Sequence, residues 1–270
     1  MEGKRRYFAF YSPKGFIRKF SAVVKAPLVS AADPLIRQTP YGACPVSMLV
    51  LLWDFMTPRS KLTSLKSTVQ QADLFAKSIG ELAREAKNCR NCPLWKNATQ
   101  TVFGAGSPKA RILFVGEQPG NDEDLSGKPF VGPAGRMLDA SLVEAGIDRS
   151  QVYVTNVVKH FKWEPRGKRR IHKKPSASEI ASCRPWLDAE ISSIAPALIV
   201  CLGATAAQAL LGKTFRVTAR RGEFIQSKLA PYVMATVHPS SILRAPDEET
   251  RHSEEKKFIA DLKLIKKLKI

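Results

Sequence analysis

"ARILFVGEQPG", Ala110 to Gly120, decides the fold. An apolar run of strand length, "RILFVG", breaks at Gly116 into a Gly/Pro loop, which is how a strand buried on both faces ends. Working outward, "AGRMLDASLVEAGI" has helical spacing of its apolar positions and stops at Gly146. "QVYVTNVV" is a second strand, "SASEIASCRPWLDAEISSI" a helix on a Ser cap, and "PALIVCLG" a third strand. "ATAAQALLG" is a helix stopped by Gly212, and "YVMATV" is a fourth strand running into "HPSSILR". A charged helix fills Asp247–Ile270, and upstream "IGELAREAKNCRNCPLW" is a helix leading into a Cys pair. Strands alternating with helices predict an α/β fold whose mainly parallel sheet is covered on both faces. In such sheets, ligands sit beyond the carboxyl ends of the strands.

The 270 residues carry 43 Lys and Arg against 24 Asp and Glu, a formal charge of +19. That surplus points to a polyanionic partner, nucleic acid ahead of a membrane surface. Hydrophobic residues make up 44%, enough for one catalytic domain, expected over 76–270, with an appendage. Residues 1–75 are a basic N-terminal extension to which no role is assigned. No run of about 18 apolar residues occurs, so no transmembrane helix is expected. "VSMLVLLWDFM" is too short and contains Asp54. The opening lacks the apolar core and cleavage site of a secretory signal, though its composition also suits an organellar transit peptide. A cytoplasmic, nucleoid-associated monomer is expected. The five cysteines, Cys44, Cys89, Cys92, Cys183 and Cys201, show no disulfide-like spacing.

The loops after the strands hold the polar residues that stand out. "GEQPG" has neither G-x-G-x-x-G spacing nor the Lys-Ser/Thr of a phosphate loop, so it reads as a turn holding one carboxylate, Glu117. Phe130, in "GKPFVGPAG", suits a core position or a base-stacking platform. Asn156 ends a strand, where its amide caps a turn or reads the edge of a pyrimidine. "HPSSILR" sets His238 at a strand end, with Ser240, Leu243 and Arg244 following. "GKRRIHKKP", Gly167 to Pro175, surrounds His172 with Lys168, Arg169, Arg170, Lys173 and Lys174. Those cations hold a loop on phosphates, and they disfavour imidazolium by like-charge repulsion.

Taken in order, "VFGAGSPKARILFVGEQPGNDEDLSGKPFVGPAG", "VYVTNVVKH", "PALIVCLGATAAQALLG" and "TVHPSSILR" resemble the uracil-DNA glycosylase superfamily, most of all its iron–sulfur (type 4) branch. The resemblance implies a three-layer α/β/α sandwich around a four-stranded, mainly parallel sheet. It also implies uracil-containing DNA as partner, with single strands preferred. Phe130 would stack on uracil, Asn156 would read its edge, and His238 with the backbone near Gln118 would donate toward O2. Asp124, or Glu123 beside it, would crowd C5 against thymine's methyl group. Glu117 would face the sugar cation, while Lys168, Arg169, Arg170, Ser240 and Arg244 would contact DNA. The "GKRRIH" insertion is similar to the UdgX branch, whose members stay covalently attached to the abasic product. That likeness implies His172 as the nucleophile that takes C1′.

Iron–sulfur members take a third Cys in a "VKC" context, where this chain reads "VVKH". The resemblance therefore implies a [4Fe–4S] cluster on Cys89, Cys92, Cys183 and His160. Spacing alone also permits Cys3His zinc, which iron analysis and a visible absorption band would distinguish. Cys201, on an apolar strand, is a core thiol or a reserve ligand. Two further readings stay open: a multiple-turnover glycosylase whose "KRRIH" only binds phosphate, and a non-catalytic iron–sulfur module that binds single strands.

Overall fold

The computed structural model describes residues 73–270. The extension expected over 1–75 lies, up to residue 72, outside the described residues.

Helix α1, Ile79–Ala86, opens on a capping box in which Ser78 and Glu81 satisfy each other's backbone N–H groups. Strand β1 (Ala105–Gly106) precedes β2 (Ile112–Gly116), and the short helix α2 (Asn121–Ser126) leads to α3 (Pro133–Ala145). Gly146 ends α3 at φ +65°, in the left-handed conformation that glycine adopts without strain. Strand β3 (Val152–Asn156) runs into a two-stranded hairpin, β4 (Trp163–Arg166) and β5 (Arg169–His172). Helix α4 (Ala177–Ile194), β6 (Leu198–Leu202), α5 (Ala204–Leu211), α6 (Val217–Arg220), β7 (Tyr232–Thr236), α7 (Pro239–Ile242) and α8 (Glu248–Leu264) follow.

The central sheet has the order β1-β3-β2-β6-β7, parallel throughout except for β1, which pairs antiparallel with β3. It therefore has five strands rather than the expected four. The fifth is two residues long, too short to leave a hydrophobic period in the sequence. Alternation along the strands builds two cores. Leu113, Val115, Tyr153, Ile199, Cys201 and Val233 face α1, α4 and α5, while Ile112, Phe114, Val154, Val200 and Met234 face α3 and α8. Each fully buried aliphatic or aromatic side chain among them stabilises the domain by roughly 1.5–3 kcal/mol. The three layers follow from this division, and parallel register brings the carboxyl ends of β2 and β3 level, Gly116 opposite Asn156.

One buried ion pair interrupts the first core. Lys159, just past β3, and Glu190 of α4 are fully buried and hydrogen-bonded to each other. Lys159 Nζ also donates to Thr155 Oγ1 at 2.6 Å and to the Asn156 carbonyl at 2.8 Å, while Glu190 accepts from Tyr153 Oη and Gly104 N. Two buried charges are tolerated because nearly every donor and lone pair is used. The network holds the end of β3 where Asn156 must sit.

The hairpin was not foreseen. Gly167, at φ +59°, and Lys168 form a two-residue loop between paired Arg166 and Arg169. Trp163 pairs with His172 and Pro165 with Arg170, which puts these four side chains on one face of the hairpin. Arg166, Arg169, Glu164 and half-exposed Ile171 take the other. The stretch "KRRIH" is thus two alternating sets and not one cationic loop. Among the described residues, no helix is long and apolar enough to cross a membrane.

Candidate active site and thiol group

Glu117 follows directly from β2. Its backbone carbonyl accepts from Val158 N at 3.1 Å, its Oε2 accepts from Thr205 Oγ1, and its Oε1 lies 3.5 Å from His172 Nε2. This last separation is ion-pair reach without a hydrogen bond. The His172 side chain is 50% exposed and that of Glu117 23%, so both are open to an incoming ligand.

His172 titrates below the ordinary imidazole range. The main cause is burial of the half that is covered; nearby Arg244 lowers it further, and Glu117 opposes both. The hairpin cations expected to do this are not among the causes, and two of them are engaged elsewhere. Arg170 bonds to Asp124 at 2.6 Å and Asn121 at 2.8 Å, and stacks over Phe161 and Trp163. Lys173 pairs with Glu164, while Lys168 and Arg169 stand exposed at the hairpin tip. The depression is therefore a property of the packed site and not of the neighbouring sequence.

Gln118 is buried, and its amide clamps the base of the hairpin. Nε2 donates to the carbonyls of Lys162 and Lys173, both at 3.1 Å, and Oε1 accepts from Lys162 N. Glu117 and the strand that carries His172 are thereby tied through adjacent residues. Asp124 is fully buried and accepts from Thr99 N with both oxygens while pairing with Arg170, so its carboxylate secures the hairpin from the side. Glu123, expected as its alternative, bridges Gly120 N and Gly132 N and shapes the loop that presents Phe130.

Phe130 adopts φ +56°, a left-handed conformation rare for an aromatic residue, of the kind that persists where packing over-determines the backbone. The packing is visible at Gly135 of α3, where a Cβ would fall 1.8 Å from the Phe130 carbonyl. Gly116 performs a second such service: a Cβ there would stand 2.4 Å from Asn156 Oδ1 and 2.8 Å from Phe130 Cζ. Asn156 and Phe130 therefore converge on a glycine. Among the described residues, the Asn156 side-chain amide makes no hydrogen bond and is available to a ligand.

His238 caps α7. Its Nδ1 accepts from Ser240 N at 3.1 Å and lies 2.8 Å from Ser240 Oγ. A nitrogen that accepts a backbone N–H carries no proton, so the neutral ring bears its proton on Nε2 and offers a donor there. Burial, then Arg244 and His172, push its pKa down to about 4, which keeps it neutral. The His238 and Phe130 rings lie nearly parallel with centroids 6.3 Å apart. Ser240, expected on DNA, fixes this tautomer. Arg244 is exposed beside both histidines.

The thiols gather on the other side of the β3 terminus. Cys183 Sγ accepts from Lys159 N and Cys89 Sγ from Trp186 Nε1, each at 3.2 Å, and Cys92 is buried nearby. His160 Nε2 lies 2.9 Å from Thr101 Oγ1. Among the described residues, no three His, Cys, Asp or Glu side chains stand close enough together to hold a metal ion as placed. Cys201 is a core thiol of β6, fully buried and pushed up to about 12.

A sequence model described as the uracil DNA glycosylase superfamily matches residues 103–263. The chain is similar to a type-4 uracil-DNA glycosylase of Archaeoglobus fulgidus, 36% identical over 199 residues that cover 68% of this chain and 93% of that protein. A type-4 uracil-DNA glycosylase of Thermotoga maritima is 42% identical over 171 residues, covering 63% and 85%. A type-5 uracil-DNA glycosylase of Pyrobaculum aerophilum is 27% identical over 173 residues, covering 58% and 73%.

Proposed function

Because the chain belongs to the uracil-DNA glycosylase superfamily, we propose that it excises uracil from DNA, preferring single strands, and that His172 then bonds to the abasic sugar. The observation that carries this reading is the 3.5 Å approach of His172 Nε2 to Glu117 Oε1 next to the group formed by Asn156, Phe130 and His238.

The uridine leaves any stack at a cost of a few kcal/mol and enters the site. Phe130 stacks on it, the Asn156 amide reads its edge, and the His238 Nε2–H donates to O2. As the C1′–N1 bond breaks, its electron pair leaves with uracil, whose charge His238 stabilises, while Glu117 faces the cationic sugar. An imidazole nitrogen lone pair then forms the new bond to C1′. The ring loses its remaining proton and uracil gains one, so the balance closes without a cofactor. A tethered ring has a large effective concentration over water, and the product linkage offers no good leaving group. Exposed Lys168, Arg169 and Arg244 are suited to the DNA backbone.

Cys89, Cys92 and Cys183 fit an iron–sulfur cluster: they are thiols beside the β3 terminus, and two of them already accept N–H donors of the kind that surround cluster sulfurs. His160 would complete the set after turning from Thr101. A cluster there would supply a structural tie between α4 and the segment leading to the hairpin.

Incubating the protein with labelled single-stranded DNA containing one uracil, followed by a denaturing gel, tests the proposal. An SDS-resistant protein–DNA band is expected. Free abasic strand without a band would instead indicate a conventional glycosylase. Adduct yield should stay level as pH falls through 6.5, the ordinary imidazole value, and decline only below it, because burial and Arg244 keep His172 unprotonated. A yield already declining above that value would contradict the assignment. Gly116→Ala should cut single-turnover uracil release by roughly tenfold or more, since its methyl group occupies the space of Asn156 Oδ1 and Phe130 Cζ.

A further inference from the structure

The turn "LGATAAQ", Leu202 to Gln208, meets the site twice. Gly203 sits at φ +85°, and a Cβ there would lie 3.1 Å from His238 Cβ, so glycine permits both the turn and its close approach. Two residues on, Thr205 is buried in the first turn of α5 and donates its hydroxyl to Glu117 Oε2. Among the described residues, it is the one side-chain donor hydrogen-bonded to Glu117.

The consequence is directional. With the Glu117 backbone held by Val158 N and Oε2 held by Thr205, the carboxylate is restrained, and Oε1 is the oxygen presented toward His172. A glutamate has several rotamers and would otherwise divide its time among them. Charge stabilises a transition state only when it is already oriented.

We propose that Thr205 is a positioning residue for glycosidic bond cleavage, acting through Glu117. The proposal rests on the glycosylase reading above. It also gives "GATAAQ" a role that its appearance as a plain strand-to-helix passage did not suggest.

Thr205→Val keeps the shape of the side chain and removes the hydroxyl, whereas Thr205→Ser keeps the hydroxyl. In the full-length protein, Thr205→Val should slow single-turnover uracil release roughly tenfold. Its Kd for the same strand without uracil should be unchanged, and Thr205→Ser should return to within about twofold of wild type. A merely structural role would move stability and affinity without rescue by Ser. Should Thr205→Val lose its cooperative melting transition, Thr205→Ala takes its place with the same expectations. Wild-type release from the hydroxyl-free variant, or a Ser variant as slow as Val, overturns the proposal alone. A wild-type protein that releases no uracil overturns the glycosylase reading and this proposal together.

Discussion

His172→Ser is expected to abolish the SDS-resistant protein–DNA band while uracil release stays within about threefold of wild type. The two outputs separate because His172 makes no hydrogen bond to Asn156 or His238, the groups proposed to read the base. Asn156 and Phe130 meet around Gly116, His238 is set by Ser240, and Glu117 is held from the opposite side by Thr205. Removing the ring opens the half-exposed rim of the site to water, which then attacks C1′ and leaves a free abasic strand. Denaturing electrophoresis reads both outcomes from one reaction. A band that persists assigns the linkage to another nucleophile. Collapse of uracil release would mean that His172 acts before the base departs.

Glu117→Gln should behave differently, lowering uracil release and adduct together by roughly 10²–10³. Gln preserves the shape and can still accept from Thr205, but it presents no charge to the developing sugar cation. Because Glu117 acts before water and His172 compete, the adduct formed per uracil released should not change. Single-turnover release and band intensity on the same substrate check this. Unchanged release would remove Glu117 from the cleavage step, and a changed ratio would tie it to the choice of nucleophile.

Much of the site was legible because it lies at strand ends. Glu117, Asn156 and His238 each follow an apolar run, and parallel pairing obliges those ends to meet at one edge. Phe130 was legible from its Gly/Pro frame, although its φ of +56° was not. In the structure the side chains of Gln118, Asp124, Arg170 and Ser240 bond to neighbouring parts of the chain. Each seemed aimed at DNA or uracil, and each holds a neighbour in place. Thr205 gave no signal, since a threonine early in a helix is an ordinary occurrence. The Lys159–Glu190 pair joins residues 31 apart in sequence, and nothing local announces such a partner.

By itself the sequence determined the layered α/β architecture and the edge on which chemistry gathers. Hydrophobic period and glycine breaks are local properties, and parallel strands leave little choice of where their ends lie. Only the tertiary structure decided which of two alternating faces "RRIH" turns inward, why His172 stays uncharged, and which Glu117 oxygen confronts it. Those outcomes depend on burial and on hydrogen bonds between residues far apart in the chain, and such contacts acquire a geometry only once the layers have packed.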